Sequence, residues 1–234
     1  MPGAVLHPRV PSRRGAARAT TWWGKAWVRA VEEASYAEAD LRAARTLARG
    51  GQVGQIATEP GRYVASVEDA RGLWTVGGTL SVLDDAALSA LVETVAAAAG
   101  RVAALVAGDL PHDLVEQADE AGAELLPSGF ELGSTCGCDH WTDPCVHALT
   151  VLYQLAWLVD ADPFVLFQLR GLPRDELLAR LHARTVAIED VDVDLDRAVE
   201  AALYAARLVD EVESSASGGA IDRPQADDPA RRYE

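Results

Sequence analysis

One short stretch of this 234-residue chain gathers the residue types that bind metal ions. It contains all three cysteines of the protein and a histidine two residues after the last of them: Cys136, Cys138, Cys145 and His147. Thiolate and imidazole are the ligands that a borderline-soft ion such as Zn²⁺ prefers, and three thiols with one imidazole make a tetrahedral Cys3His set. The spacing therefore predicts a zinc site with these four ligands.

The residues between the ligands indicate the elements that position them. Cys136 and Cys138 are two apart, so in a strand that turns at Gly137 both side chains would share one face. Asp143 and Pro144 are typical of an N-cap followed by a proline at the first helical position. We therefore expect a hairpin or tight turn and then a helix, with the last two ligands in the first turn of that helix.

Three other interpretations of the cluster were considered. The cysteines and the histidine could simply be buried core residues, but chance rarely gathers every cysteine into one window. Disulfides would leave one cysteine unpaired, and no signal peptide is recognisable that would direct the chain to an oxidising compartment. Cys145 at a helix N-terminus, close to His147, could be a catalytic thiol. Four protein donors, however, would close the coordination shell, which is typical of structural zinc.

The cluster resembles a known motif. Its pattern C-x-C-x6-C-x-H is similar to the SWIM zinc finger, and C-x-C-x-x-W-x-x-P-C-x-H followed by an apolar helix resembles the bacterial SWIM family. The resemblance extends from Trp22 to about Leu181 and implies that the four residues of the cluster are the zinc ligands. It also implies binding to DNA or to proteins, with helicase-like ATPases of the chromatin-remodeller type as the expected partners of bacterial members.

Two positions depart from the family pattern. Val146 stands between the last two ligands, where the family often has a basic residue, so a charge that could bind phosphate is missing. His140 stands where the family often has an acidic residue, and its imidazole is a potential rival ligand.

The charge of the chain bears on its partners. A net charge of −15 and a pI near 4.7 argue against a general nucleic-acid-binding protein, which is usually basic. The charge is unevenly distributed, because residues 1–50 contain nine Lys/Arg and four Asp/Glu, whereas residues 51–170 contain four and seventeen. Arginines 9, 13, 14 and 18 could contact phosphate or an acidic partner. No apolar run is long enough to span a membrane, and we expect a cytoplasmic protein.

The patterns outside the cluster predict an α+β fold with a small antiparallel sheet and covering helices, followed by the zinc finger and a helical C-terminal part. Strands are expected over 52–58, 62–68 and 73–83, with a bulge or bend at Gly77-Gly78. We expect the tryptophans at 22, 23 and 27 to anchor a helix to the core. The helix after His147 presents apolar residues at helical spacing, namely Ala148, Val151, Leu152, Leu155 and Val159.

Five segments are predicted along the chain. Residues 1–20 are expected to be a disordered basic arm, 21–125 an N-terminal α+β domain, and 126–184 the finger with a helical extension. A C-terminal helix is expected over 185–212, with a disordered acidic tail over 213–234. The apolar stretch Phe164 to Leu169 is expected to be buried or to face a partner.

These observations predict a function without catalysis. We expect a zinc-binding interaction module, an accessory protein that by resemblance docks a helicase-like ATPase in DNA transactions. The alternative is direct binding of nucleic acid by the finger and the basic arm. The sequence contains no phosphate-binding loop, dinucleotide fingerprint or nucleophile elbow, so neither a catalytic residue nor a small-molecule substrate is predicted.

Overall fold

A computed structural model describes residues 3–13 and 19–217, and the side chains of all of these except 187–196, 210 and 212–217. Five antiparallel strands form one sheet in sequential order. The strands are β1 (Val5–His7), β2 (Val53–Glu59), β3 (Arg62–Asp69), β4 (Gly72–Thr79) and β5 (Gly133–Cys136). The predicted α+β class with an antiparallel sheet is confirmed.

Helices lie before and after these strands along the described chain. Before the sheet's central hairpins come α1 (Trp22–Ala34) and α2 (Glu38–Arg49), and after them α3 (Asp85–Ala96), α4 (Ala99–Val106) and α5 (His112–Glu120). A 3₁₀ turn (Gly129–Glu131) precedes β5. The last three helices are α6 (Val146–Ala161), α7 (Phe164–Leu169) and α8 (Arg174–Ser217). Asp84 caps α3 with its side chain, as its position before an apolar pattern predicts.

Helix α6 is the centre of the core. Twelve of its sixteen residues are buried, including all five apolar positions that the sequence singled out. It packs against α1, α2 and the sheet. The six residues of α7 are also buried, so the stretch from Phe164 to Leu169 is core and not a partner surface.

The tryptophans near the start of the chain attach α1 to α6. Trp23 and Trp27 are buried, and their indole N–H groups donate to the carbonyls of Val159 and Leu152. Burying the large ring while its N–H is satisfied gives both apolar and polar stabilisation. The structural role predicted for this cluster is confirmed.

A carboxylate at the end of α6 accepts hydrogen bonds from the residues at the N-terminus of α1. The Asp160 side chain accepts hydrogen bonds from the backbone N–H and the hydroxyl of both Thr20 and Thr21. These bonds hold the pKa of Asp160 below its usual value despite partial burial, which alone would raise it. Gly24, one turn into α1, lies directly against this carboxylate.

Three expectations are corrected. The first twenty residues are not a wholly disordered arm, because β1 pairs with β2 over Val5–His7. Gly77 and Gly78 form no bulge but pair regularly with β3; a Cβ atom on Gly78 would lie 1.9 Å from Cζ of Tyr63, so close packing explains this glycine. The helical extension expected at the end of 126–184 and the C-terminal helix expected over 185–212 are one continuous helix, α8.

Contacts divide the chain into two compact units, residues 1–182 and 183–234. In the second unit several apolar side chains of α8 are exposed, namely Val186, Val199, Leu203, Tyr204, Leu208 and Val209. The acidic tail predicted over 213–234 belongs to α8 up to Ser217 and otherwise lies outside the described residues. The other predicted domain boundaries stay predictions.

Membrane-spanning potential was considered for the described helices. No single one is long and apolar enough to cross a bilayer; α3 and α4 meet the requirement only as a pair, and the two are bent by 100°.

The contact between Gly24 and Asp160 leads to a prediction about stability. Gly24→Ala should destabilise the protein by about 1–3 kcal/mol, because the new Cβ would lie 2.3 Å from Oδ1 of Asp160. Gly100→Ala in α4 is the matched control, since nothing lies within 4 Å of its Cβ position. That control should be neutral or stabilising by up to about 1 kcal/mol. Denaturant unfolding of both variants measures this, and an unchanged midpoint for Gly24→Ala would contradict the contact.

Candidate metal centre

The structure brings the four predicted residues together. One ligand atom from each of Cys136, Cys138, Cys145 and His147 lies within 4.8 Å of the ligand atoms of the other three. Two sulfurs bound at 2.3 Å to a tetrahedral ion would be about 3.8 Å apart, so small side-chain movements would bring all four to bonding distance. None of the three cysteines forms a disulfide. The cluster therefore fits a four-coordinate metal ion.

Two elements position the ligands. Cys136 ends β5 and pairs with Val76 of β4, so the sheet holds the first ligand. The Ser134 hydroxyl donates to the Asp143 carboxylate and thereby ties β5 to the segment before α6.

The start of α6 supplies the other end of the site. Cys145 is its N-cap residue and His147 its second residue. The prediction that Asp143 caps this helix is wrong: the helix begins two residues later than the Asp-Pro pair indicated, and the Asp143–Pro144 peptide bond is cis. Both ligands still lie at the entry of the helix, where backbone irregularity allows residues two apart to face one ion.

A carboxylate from the sheet orients the histidine. His147 is 1% exposed, and its Nε2 lies 3.1 Å from Oδ2 of Asp69, at the end of β3. An ionised carboxylate only accepts, so Nε2 carries the proton and Nδ1 keeps its lone pair. Nδ1 faces the cluster, 3.8 Å from Sγ of Cys136. The histidine is thus held in the tautomer that can bind a metal.

Asp69 is itself fixed by neighbours. The indole N–H of Trp74 and the backbone N–H of Arg71 donate to Oδ1, and the Arg71 guanidinium contacts Oδ2. The Trp74 bond, together with those from His147 and Arg71, holds the pKa of Asp69 well below its usual value. The Trp74 ring also stacks on the His147 ring at 5.4 Å between centroids. The carboxylate is therefore ionised at physiological pH and rigidly placed.

The three thiols differ in acidity. Burial raises the pKa of Cys136 to about 12 and also raises that of Cys145. Burial has the same effect on Cys138, but the backbone N–H of His140 and the His147 ring outweigh it and lower the pKa to about 7. The surroundings of Cys138 therefore favour its thiolate. Binding of a metal must displace the other thiol protons, so affinity should rise with pH.

The remaining polar residues of the finger do not join the cluster. The His140 ring accepts at Nδ1 from the backbone N–H of Thr142, 3.3 Å away, and contacts the Thr142 hydroxyl at 2.6 Å. Among the described residues, His140 is outside the group of potential ligands. Glu131, in the 3₁₀ turn before β5, pairs with the buried Arg170 and is also outside that group.

Sequence reasoning did not identify Asp69 as the partner of His147. The two residues are 78 positions apart, and only the pairing of β5 with β4 brings the finger to the turn that contains Asp69. The one local signal was the turn composition after β3, which gives no indication of a contact with the finger.

Fold and site together define an α+β protein with a four-residue Cys/His cluster at the junction of its sheet and central helix. Comparison with known proteins finds a similar chain, "Uncharacterized protein Rv2102" of Mycobacterium tuberculosis, 30% identical over 174 residues. The similarity covers 74% of this chain and 62% of the relative, so the chain spans less than two thirds of that protein's length. No family model matches the chain, and no solved structure matches it.

The contact between Asp69 and His147 leads to a second prediction. Asp69→Asn should weaken metal binding by about 10- to 100-fold, because an amide neither fixes the tautomer as strongly nor raises the basicity of the imidazole. Asp139→Asn, an equal change at an exposed position between the ligands, should leave affinity unchanged. Competition of each purified variant against a chromophoric chelator for Co²⁺ or Zn²⁺ measures this. Equal affinities for the two variants would show that Asp69 does not support the site.

Proposed function

We propose that this chain is a non-catalytic zinc-binding module of the SWIM type, an accessory protein that docks a helicase-like ATPase in DNA transactions. The observation that carries the proposal is the clustering of three sulfurs and one imidazole in a C-x-C-x6-C-x-H pattern. A thiolate-rich tetrahedral set favours Zn²⁺ over harder ions. The ligand assignment rests on this geometry and on the resemblance, whereas the partner rests on the resemblance alone.

The donor set supports a structural role for the metal. Four protein ligands would leave no open position for water or substrate, whereas catalytic zinc keeps one. The ion would join the edge of the sheet, through Cys136, to the start of the central helix, through Cys145 and His147. Metal binding and folding are then coupled, with about 10 kcal/mol or more available from such sites.

The surface of the finger supports a protein partner. Trp141, between the second and third cysteines, is 90% exposed, and its ring stacks on that of His140. Exposed tryptophans are enriched where proteins meet, because one side chain buries a large area at low cost in entropy. The finger is also surrounded by acidic residues, among them Asp69, Asp139 and Asp143, and no basic residue occurs between its ligands. This favours a protein over a phosphate backbone as the partner of the finger.

The alternative, direct binding of nucleic acid by the finger and the basic arm, is weakened by the contacts of the arm. The Arg9 guanidinium donates to the carbonyl of Gly51, and the Arg13 guanidinium lies over the Trp157 ring. Both arginines are thus engaged within the fold. Arg14 and Arg18 lie outside the described residues.

The ligand assignment can be tested by substitution. Cys136→Ser should lower zinc content and melting temperature together, because the remaining three ligands no longer close the shell and α6 loses its attachment to the sheet. Metal analysis and calorimetry of the purified variant measure both quantities. A variant that keeps a full zinc equivalent and its stability would contradict the assignment, and His140 would then be the residue to test as the fourth ligand.

The docking proposal predicts a different variant phenotype. Trp141→Ala should leave zinc content and melting temperature unchanged, since the ring is exposed, yet abolish capture of a helicase-like ATPase by the tagged, zinc-loaded chain. Tyr36→Ala is the matched control, because Tyr36 is also exposed, at 78%, but lies in the α1–α2 loop. Affinity purification from cells of the same organism, with identification of the captured protein, measures this. Capture of no ATPase, or equal capture by all three proteins, would contradict docking through the finger.

A further inference from the structure

A basic groove lies on the helical side of the fold. It has a volume of about 680 Å³ and is bounded by α1 and α2, with side chains of α6 among its lining residues. Five of its lining residues are basic and one is acidic: Lys25, Arg29, Arg42, Arg45 and Arg49, with Glu32. The whole chain has a net charge of −15, so a groove lined mainly by basic residues is opposite in charge to the protein as a whole.

The ion pairs of the groove leave several cations available. Arg45 is neutralised, because it contacts Glu32 at 2.8 Å and Glu38 at 3.4 Å. Arg29 pairs with Glu33, but both side chains are largely exposed, so this bond is weak. Within the described part of the chain, Lys25, Arg42 and Arg49 have no carboxylate partner.

Hydrogen bonds hold two of the arginines in place. The Arg45 guanidinium donates to the Tyr153 hydroxyl at 2.9 Å, and Nε of Arg49 donates to the carbonyl of Arg45 at 3.1 Å. On α2, Arg42, Arg45 and Arg49 follow the i, i+3, i+7 spacing of one helix face, so they extend over about 10 Å. Among the described residues, Arg42 and Arg49 at the two ends of this row lack a carboxylate partner, and their separation suits two charges along a chain more than one isolated anion.

The aromatic residues of the groove do not offer open faces for stacking. Trp157 and Tyr153 are only 8% and 5% exposed, and arginine side chains lie over both rings. A ligand would therefore be recognised through its charges and not through stacked bases. Guanidinium groups bind phosphate oxygens bidentately, which favours phosphates as those charges.

We infer that this groove binds single-stranded nucleic acid through successive backbone phosphates. A concave site between two helices admits one strand, whereas duplex phosphates would approach a convex or flat surface more readily. The groove is distinct from the metal centre, because Trp157 lies ten residues, or about 15 Å, along α6 from His147. This inference does not rest on the proposed function.

The test is a titration of a fluorescent oligothymidylate, about 12 nucleotides long, with the full zinc-loaded chain at several salt concentrations. Each phosphate contact should contribute about −0.7 to the slope of log affinity against log salt. The variant Lys25→Gln/Arg42→Gln/Arg49→Gln should bind about tenfold or more weakly, with a slope smaller in magnitude by about 2. Arg180→Gln, at a half-buried arginine of α8 that pairs with Glu176, is the control and should bind like the wild type.

Three competitors distinguish the ligand classes. A duplex of the same length and free thymidine monophosphate should both displace the strand poorly, because the first does not fit the groove and the second has a single phosphate. An oligoglutamate of equal charge should also compete poorly.

The inference is overturned if the strand does not bind at low salt, or if the triple variant binds as the wild type does. It is also overturned if the duplex or the oligoglutamate competes as well as the strand. Unchanged zinc content and melting temperature in the triple variant would show that any loss of binding arises from the groove and not from misfolding.

Discussion

The fold depends on how one largely buried helix, α6, is held in place. Helix α6 is apolar on nearly every side, so hydrophobic burial stabilises it without specifying its rotation or its position along its axis. Directional contacts supply that information. At the start of α6, His147 contacts Asp69. In the middle of α6, a backbone carbonyl accepts a hydrogen bond from the indole N–H of Trp27, and at the end, Asp160 accepts hydrogen bonds from the N-terminus of α1. Each of these polar groups would be costly to bury without its partner, so each selects one arrangement.

The metal centre and the basic groove both depend on that helix. The ligands at its first turn connect it to the strand that ends at Cys136, and its later turns contribute Tyr153 and Trp157 to the groove. The side chains around the metal centre, on the sheet side of α6, are therefore acidic residues and thiols. Those around the groove, on the side of α1 and α2, are mostly basic. A single element thus separates two surfaces of opposite character within one acidic chain.

The sequence predicted what depends on local pattern. The α+β class, the apolar positions of α6, the structural tryptophans and the side-chain cap of α3 all follow from spacing within a few turns. It missed what depends on distant pairing. Strand β1 has only three residues and is recognisable only beside β2, and Asp69 becomes relevant only when β5 joins β4. The start of α6 was misplaced because Asp143-Pro144 looks like a cap, whereas the helix begins after Cys145.

The short span of the ligands has a kinetic consequence. All four lie within twelve residues, so closing the loops between them costs little chain entropy even in an unfolded chain. The contacts that hold α6 against α1, in contrast, join residues 125 to 140 positions apart. A metal ion bound by the cluster would therefore bring these four residues together before the distant helices pack, and the start of α6 would be ordered first. The metal would then help to initiate folding and would also stabilise the folded protein.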